Sequence, residues 1–129
     1  MMQMKLEVVI LPVTDVDQAK AFYHDKIGFN VDHDVSPGNG MRIVQLTPPG
    51  SACSIVIGSG MGQDMQPGSI KGLHLVIADA AKARTMLVEA GVDVGEIDDL
   101  GQGIKHVGWS DPDGNSWVFQ ELPWRSGEF

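Results

Sequence analysis

The chain carries an internal repeat, in which a spacing of 64 residues relates Asp15 to Asp79 and Gly50 to Gly114. The same spacing aligns apolar positions of two helix-like segments, namely Ala19 with Ala83, Phe22 with Met86 and Tyr23 with Leu87. The one departure is at the end of the helix patterns, where Gly28 and Gly91 are 63 residues apart instead of 64. Two copies at this spacing favour a duplicated module over a solenoid, which needs more repeats.

Each copy reads as one strand, one helix and three further strands. The first helix is predicted to begin after Asp15 and to end at Gly28, and the second to run from Asp79 to Gly91, because a capping acid and a terminal glycine bracket apolar residues at helical spacing. Strands are predicted at 6–13, 29–34, 42–46, 53–57, 73–78, 92–97, 105–109 and 117–122. The order βαβββ, repeated once, predicts an α+β fold of two tandem modules.

The 129 residues are enough for one domain built from the two modules. Module one is predicted at 4–58, a glycine-rich linker at 59–69, module two at 70–123 and a patternless tail, expected to fray, at 124–129. The segment 33–40 is predicted to be a second long loop.

Composition narrows the partners and the compartment. A net charge of −8 argues against nucleic acid, since an acidic surface repels phosphates. Cys53 is the single cysteine, which excludes an intrachain disulfide and a cysteine-rich zinc site. The apolar run near the N-terminus is short and broken by Pro12, unlike a signal peptide, and no stretch could span a membrane. We therefore expect a cytoplasmic protein with no membrane partner.

Several motifs together resemble one known superfamily over residues 5–123. They are VTD at 13–15, AFY at 21–23, IGF at 27–29, GLHLV at 72–76 and DPDGN at 111–115. The chain resembles the vicinal oxygen chelate superfamily, which includes glyoxalase I, fosfomycin-resistance proteins, extradiol dioxygenases and bleomycin-resistance proteins. The resemblance implies curled mixed sheets that enclose a cavity, with helices on their convex faces, and commonly a homodimer.

Metal-dependent members of that superfamily hold a divalent cation with side chains from the first and last strand of each module. By the resemblance, these positions are Val8, Ser54, Gly72 and Val118 here. None is a histidine or an acid, although a divalent cation needs three or four nitrogen or oxygen donors. We therefore expect a member without the usual metal ligands and without a cofactor, in which Val8 and Val118 line the cavity.

Strand alternation, applied with the constant spacing of 64, predicts which polar side chains face the cavity. They are Arg42, Ser54, His74, His106 and Gln120. Each also has a purely structural interpretation. His74 could be a hydrogen-bonded core histidine, His106 a solvated one, Arg42 an ion-pair partner of Glu7 or a loop acid, Gln120 a bridge between strands and Ser54 a small packing residue.

The sequence leaves several functions open. The first is a metal-independent protein that binds a small, partly apolar molecule, as bleomycin-resistance-type members do. The second is a lyase or isomerase with His74 and His106 as acid and base and Arg42 holding a substrate carboxylate. A third is a non-catalytic partner or sensor domain, and a metal held at a shifted site by the two histidines and Gln120 is a further possibility.

Overall fold

The computed structural model describes residues 1–62 and 64–129, so Gln63 of the predicted linker lies outside the described residues. The chain divides into two compact units, Met1–Ser69 and Ile70–Phe129. Each unit contains one four-stranded mixed sheet and one main helix. The predicted α+β fold of two tandem βαβββ modules is confirmed.

Unit 1 has the sheet order β1-β4-β3-β2, in which β1 runs parallel to β4 and the other neighbours are antiparallel. The sheet is open, because β1 and β2 are its edges. Its elements are β1 (Val8–Ile10), α1 (Val16–Ala21), a π-helical segment (Phe22–Ile27), β2 (Asn30–Gly38), β3 (Met41–Thr47) and β4 (Ser54–Ser59).

Unit 2 repeats this arrangement with the sheet order β5-β8-β7-β6, again with one parallel pair, β5 with β8. Its elements are β5 (Leu73–Ile77), α2 (Ala80–Glu89), β6 (Val94–Asp99), β7 (Lys105–Ser110), β8 (Ser116–Glu121) and a terminal 3₁₀ helix (Pro123–Glu128). The parallel pair in each unit follows from a helical crossover, which returns the chain to the sheet in the same direction.

Both main helices begin at the aspartates that the repeat aligns. The side chain of Asp15 accepts a hydrogen bond from the backbone of Gln18 at 3.0 Å, and that of Asp79 accepts one from Lys82 at 3.1 Å. Each aspartate has extended backbone angles, as an N-cap requires. The repeat therefore fixes the two helix starts at a spacing of 64 residues.

The two helices end differently. The first continues beyond α1 as the π-helical segment Phe22–Ile27 before Gly28, which has φ +92° and closes the helix in the left-handed region. A π-turn takes up an extra residue relative to an α-helix. The first helix therefore reaches its terminal glycine one residue later than α2 does, and the spacing between the units is 63 at that glycine.

The register of the strands indicates the same spacing of 63 between β3 and β7. Leu46 lies opposite Ile55 in unit 1, and Trp109 lies opposite Trp117 in unit 2. These side chains are buried, with exposed fractions of 0% for Leu46 and 3% for Trp109. Leu46 and Trp109 are thus structural counterparts at a spacing of 63. A one-residue change moves every side chain of a strand to the other face.

The core of unit 2 is aromatic, as its sequence predicts. The rings of Trp109 and Trp117 stack at 5.4 Å with an interplanar angle of 2°, and Phe119 lies 5.5 Å from Trp109. Leu87 of α2 is fully buried. Because these strand residues have the odd positions of β7 and β8, the even positions lie on the side turned away from α2.

The segment 33–40 is not the predicted loop. β2 extends to Gly38 and pairs with β3 in an irregular hairpin. Asn39 and Gly40 form its turn with φ +56° and +71°, and Asn-Gly readily adopts this backbone conformation. The prediction was wrong because the polar composition of the segment outweighed the Asn-Gly signal.

The DPDGN turn ties β8 to the start of β5. The buried side chain of Asp111 accepts hydrogen bonds from the backbone of Asp113 and Asn115, each at 2.9 Å. Asn115, whose exposed fraction is 0%, in turn accepts a bond from the backbone of Ile70 at 3.1 Å. This motif therefore has a structural role.

The tail differs from the frayed segment expected. Pro123 begins the 3₁₀ helix, and Arg125 donates to Glu128 at 2.5 and 2.7 Å. Proline suits the first helical position, where its missing N–H costs nothing. Within the described residues, no helix is both long and apolar enough to cross a membrane.

Candidate ligand-binding site

The helix of each unit covers one side of its sheet, and we call the other side the far face. In unit 2, His74 lies opposite Val118 and His106 lies opposite Gln120. All four are at even positions, whereas the odd positions carry the core beneath α2. The second unit thus brings four of the predicted site residues together on its far face.

The two histidines form the centre of this group. Their rings lie 5.5 Å apart at an interplanar angle of 81°, which is an edge-to-face arrangement. His74 is exposed and His106 is half-buried. They stand on β5 and β7, the two neighbours of β8, so their rings approach one another across that central strand.

Each imidazole has one hydrogen-bond partner within unit 2. Nδ1 of His74 lies 2.7 Å from the carbonyl oxygen of Gly72. Nε2 of His106 lies 2.8 Å from Oε1 of Gln120. Gln120 therefore bridges two strands, as its structural interpretation suggested, and it also holds the orientation of His106.

The surroundings of the pair are apolar with one acidic neighbour. Val118 and Val76 lie on the same face and are half-buried, and Val76 stands opposite Gln120. On the outer strand β6, Asp98 lies opposite His106 and is exposed. The arrangement offers apolar contact, two imidazole rings and one carboxylate.

The far face of unit 1 has different chemistry. Val8 lies opposite Ser54, whose exposed fraction is 6%. Oγ of Ser54 lies 2.6 Å from Oγ1 of Thr47, and Thr47 is also hydrogen-bonded to the carboxylate of Asp32. Since a carboxylate only accepts, Thr47 donates to Asp32 and accepts from Ser54.

Sequence reasoning missed Asp32 and Thr47. The constant spacing of 64 assigns Arg42, on the opposite face of β3, to the cavity, and the predicted strand 42–46 ends before Thr47. The usable signal was the early match of Gly28 by Gly91, which already indicated a slip of one residue before β3.

Arg42 is the predicted site residue that the structure places elsewhere. Its Nη1 donates to Asp17 on the first helix at 2.6 Å, and its Nε and Nη2 donate to Asp34 at 3.1 and 3.0 Å. It shares its face with the buried Val44, beneath α1. The predicted orientation toward the cavity was wrong because the π-segment shifts β3 by one residue, so the counterpart of Arg42 is Lys105 and not His106.

The ion cluster beneath α1 also includes Lys20, whose Nζ donates to Asp34 at 2.7 Å. Hydrogen bonds from Arg42 and Lys20 hold the pKa of the Asp34 carboxyl well below its usual range. Hydrogen bonds to the carboxylate of Asp34, and to a lesser extent to that of Asp17, raise the pKa of the Arg42 guanidinium above its usual range. Arg42 therefore has a structural role in unit 1, as an ion-pair partner of two aspartates.

Comparisons with known proteins identify the family. The model of the Glyoxalase/Bleomycin resistance protein/Dioxygenase superfamily matches residues 5–119. The chain belongs to this superfamily. The resemblance seen in the sequence motifs is thereby confirmed, although the superfamily alone does not specify an activity.

Solved structures of superfamily members agree with this assignment. TnmS3, an antibiotic binding protein from Streptomyces sp. CB03234, is 31% identical with a TM-score of 0.83, and the alignment covers 94% of this chain and 98% of TnmS3. A glyoxalase/bleomycin resistance protein from the same strain is 32% identical with a TM-score of 0.77, covering 89% and 98%. A superfamily member from Sphaerobacter thermophilus DSM 20745 is 28% identical with a TM-score of 0.83, covering 95% and 100%. The search of curated proteins gave no match.

The divalent cation of metal-dependent superfamily members does not fit the side chains at the positions that the resemblance implies for its ligands. Val8, Gly72 and Val118 offer no donor atom, and the hydroxyl of Ser54 is engaged with Thr47. A stable site needs several nitrogen, sulfur or carboxylate ligands. Within residues 1–62 and 64–129, no group of three or more histidines, cysteines and acids is placed to hold a metal ion.

Proposed function

We propose that the protein binds a small, partly apolar organic molecule on the far face of unit 2 and holds it without a metal ion. The observation that carries this proposal is the pairing of His74 and His106 beside Val118 and Gln120. A mostly apolar surface with a few convergent polar groups is typical of sites for small ligands.

The likeness to TnmS3 supports a ligand of the antibiotic class. That protein is described as antibiotic binding, and it aligns with this chain over nearly the full length of both. A protein that protects by sequestration needs affinity and no turnover. This requirement is compatible with a far face that lacks the donors of a metal-assisted reaction.

The proposal is tested by titrating purified protein with a panel of aromatic natural-product antibiotics, using isothermal calorimetry, followed by mass analysis of the recovered compound. We expect at least one micromolar ligand, recovered unmodified. His74→Ala should weaken its binding about tenfold, since a hydrogen bond and an aromatic contact to the ligand are both lost. His24→Ala, which removes a histidine from the first helix, is the matched control and should leave the affinity unchanged. Conversion of the compound, or no binding across the panel, would contradict the proposal.

A lyase or isomerase remains the alternative function. The closeness of the two imidazoles favours it, because a histidine pair can exchange protons with a substrate. The anchoring role of Arg42 in that scheme loses its support, since Asp17 and Asp34 occupy its donors. If the protein converts a bound compound, His74→Ala should lower kcat with a smaller effect on affinity, whereas in a binding protein only the affinity changes.

We further propose a homodimer in the cytoplasm, on the family resemblance and the sequence composition respectively. Sedimentation equilibrium tests the assembly, because a dimer has twice the 13.9 kDa chain mass. A monomer at micromolar concentration would contradict it. Fractionation of the producing cells tests the location.

A further inference from the structure

We infer that Nε2 of His74 and Nδ1 of His106 form a pair of hydrogen-bond acceptors that selects a neutral aromatic ligand with hydroxyl donors, of which a phenol is the simplest. The inference rests on the proposed function and specifies the chemistry of its ligand. It follows from which ring nitrogen of each histidine the protein itself has engaged.

The backbone residue that precedes β5 fixes the tautomer of His74. The carbonyl oxygen of Gly72 can only accept a hydrogen bond, so the ring nitrogen 2.7 Å away, Nδ1, carries the proton. The other nitrogen, Nε2, then has a lone pair. Because His74 is exposed, this lone pair is accessible to a ligand.

Gln120 fixes the tautomer of His106 in the opposite sense. Its amide oxygen, 2.8 Å from Nε2, accepts the proton of that nitrogen. The lone pair of His106 is therefore on Nδ1. The hydrogen bond that one ring nitrogen donates determines which nitrogen is left to accept from a ligand.

A pair of acceptors requires donors from the ligand and disfavours anions. A carboxylate or phosphate would face two lone pairs and, opposite His106, the exposed carboxylate of Asp98. The one arginine considered as an anion anchor, Arg42, is engaged beneath α1. A metal ion would need at least one more protein ligand, and the described residues provide no group of three histidines, cysteines and acids.

The surroundings favour an aromatic body for the ligand. Two imidazole rings in edge-to-face contact and the half-buried Val118 and Val76 offer flat, apolar contact. A phenol matches both features. It combines a flat aromatic ring with an O–H group that can donate a hydrogen bond.

The first test needs no ligand and no variant. Long-range ¹H–¹⁵N correlation spectra at pH 8 distinguish protonated from unprotonated ring nitrogens. We expect His74 as the Nδ1–H tautomer and His106 as the Nε2–H tautomer. The opposite tautomer at either histidine, or rapid averaging of both, would overturn the inference.

The second test compares 2-naphthol with 2-methoxynaphthalene and 2-naphthoate on the full chain by the same spectra. One hydrogen bond corresponds to about a fivefold preference, so the naphthol should bind about fivefold more tightly than its ether, and the carboxylate should bind most weakly. The naphthol has a single O–H donor, so contact should shift Nε2 of His74 or Nδ1 of His106, whichever nitrogen accepts its hydrogen bond. Equal affinities for the naphthol and its ether would overturn the inference.

Variants assign this preference to the two lone pairs. His74→Phe and His106→Phe keep an aromatic ring and remove the acceptor, so each should reduce the preference for the naphthol, while the control His24→Phe should retain it. If 2-naphthol fails to bind up to its solubility limit, the inference fails, whereas an antibiotic that still binds leaves the proposed function intact. Stoichiometric Zn²⁺ binding that shifts both imidazoles would replace the phenol site by a metal site.

Discussion

Arg42 shows how the environment of one residue decides its role. All three guanidinium nitrogens donate, one to Asp17 and two to Asp34. The fork of the guanidinium matches the carboxylate of Asp34 in a bidentate pair, which is the strongest form of such a contact. Asp34 also accepts from Lys20, so two cations and two carboxylates join β2 and β3 to the first helix.

This cluster should make the stability of the protein sensitive to acid. The pKa of Asp34 is lowered in the folded state, so its contribution is present above about pH 4, the range of a free aspartate, and is lost as the pH falls below it. Asp34→Asn should lower the melting temperature by a few degrees at pH 7 and by somewhat less at pH 3, because the lowered pKa keeps the folded-state carboxylate ionised and paired below about pH 4. Thermal melts followed by circular dichroism between pH 3 and pH 7 measure this.

The matched control for that experiment is Glu89→Gln, at an exposed carboxylate near the end of α2. This substitution removes one negative charge from a residue that lies outside the ion cluster of unit 1. We expect its melting curve to follow that of the unmodified protein. If Asp34→Asn and Glu89→Gln behave alike at pH 7, the cluster does not stabilise the fold.

The chain of hydroxyls in unit 1 allows a second test at the scale of single residues. Thr47→Val leaves the hydroxyl of Ser54, with an exposed fraction of 6%, without its acceptor, and should lower the free energy of unfolding by about 1–2 kcal/mol. Adding Ser54→Ala should restore part of the loss, because the stranded donor is then absent. Urea denaturation of both single variants and the double variant measures the coupling. Additive losses would show that the two hydroxyls act independently.

At the scale of the elements, the π-helical segment determines what the sequence could and could not predict. The helix starts, the order of elements and the aromatic core of unit 2 followed from local patterns that the structure retains. The faces of β3 did not, because they depend on the register after the extra residue of Phe22–Ile27. Side chains alternate between the two faces of a strand, so a shift of one residue is enough to place Arg42 on the face opposite to the predicted one.

The same reasoning explains why the group around His74 could be predicted. Strand alternation with the spacing of 64 predicts His74, His106 and Gln120 on one face of unit 2, and no extra residue in α2 changes that face. Their mutual distances could not be predicted, since they depend on the cross-strand register of β5, β8 and β7. Which ring nitrogen of each histidine is hydrogen-bonded likewise depends on the three-dimensional structure and could not be predicted from the sequence.

Gly28 tests how strongly the first helix depends on its terminal residue. It has φ +92°, and an added Cβ would meet no atom within 4 Å, so the cost of a side chain there is purely conformational. Gly28→Ala should lower the free energy of unfolding by about 1–2 kcal/mol. Gly127→Ala, in the terminal 3₁₀ helix with equally open space, is the control and should change it little. Chemical denaturation compares the two, and equal effects would exclude a left-handed requirement at Gly28.

At the scale of the whole molecule, the two units share a backbone plan and differ in their far faces. Ile10 lies opposite Val56 as His74 lies opposite Val118, and Ile43 lies opposite Gly58 as His106 lies opposite Gln120. The counterparts of the histidine pair are therefore apolar. The two units therefore share their sheet order, whereas the paired imidazoles of His74 and His106 belong to unit 2.

That difference leads to a prediction about metal content. Val8, Gly72 and Val118 provide no donor, so protein purified without chelators should contain less than about a tenth of an equivalent of any transition metal by inductively coupled plasma mass spectrometry. Dialysis against EDTA should change neither the melting temperature nor the affinity for a ligand, because no metal-linked folding energy is present to remove.

One equivalent of metal that survives dialysis would contradict this prediction and would direct attention to His74 and His106. The variant His74→Phe/His106→Phe then distinguishes the two explanations, since it removes both imidazoles and keeps aromatic rings on the far face. Loss of the metal from this variant would place the ion at the histidine pair. Retention of the metal would place it at ligands outside the pair, and the acceptor role of the two histidines would still be decided by their tautomers.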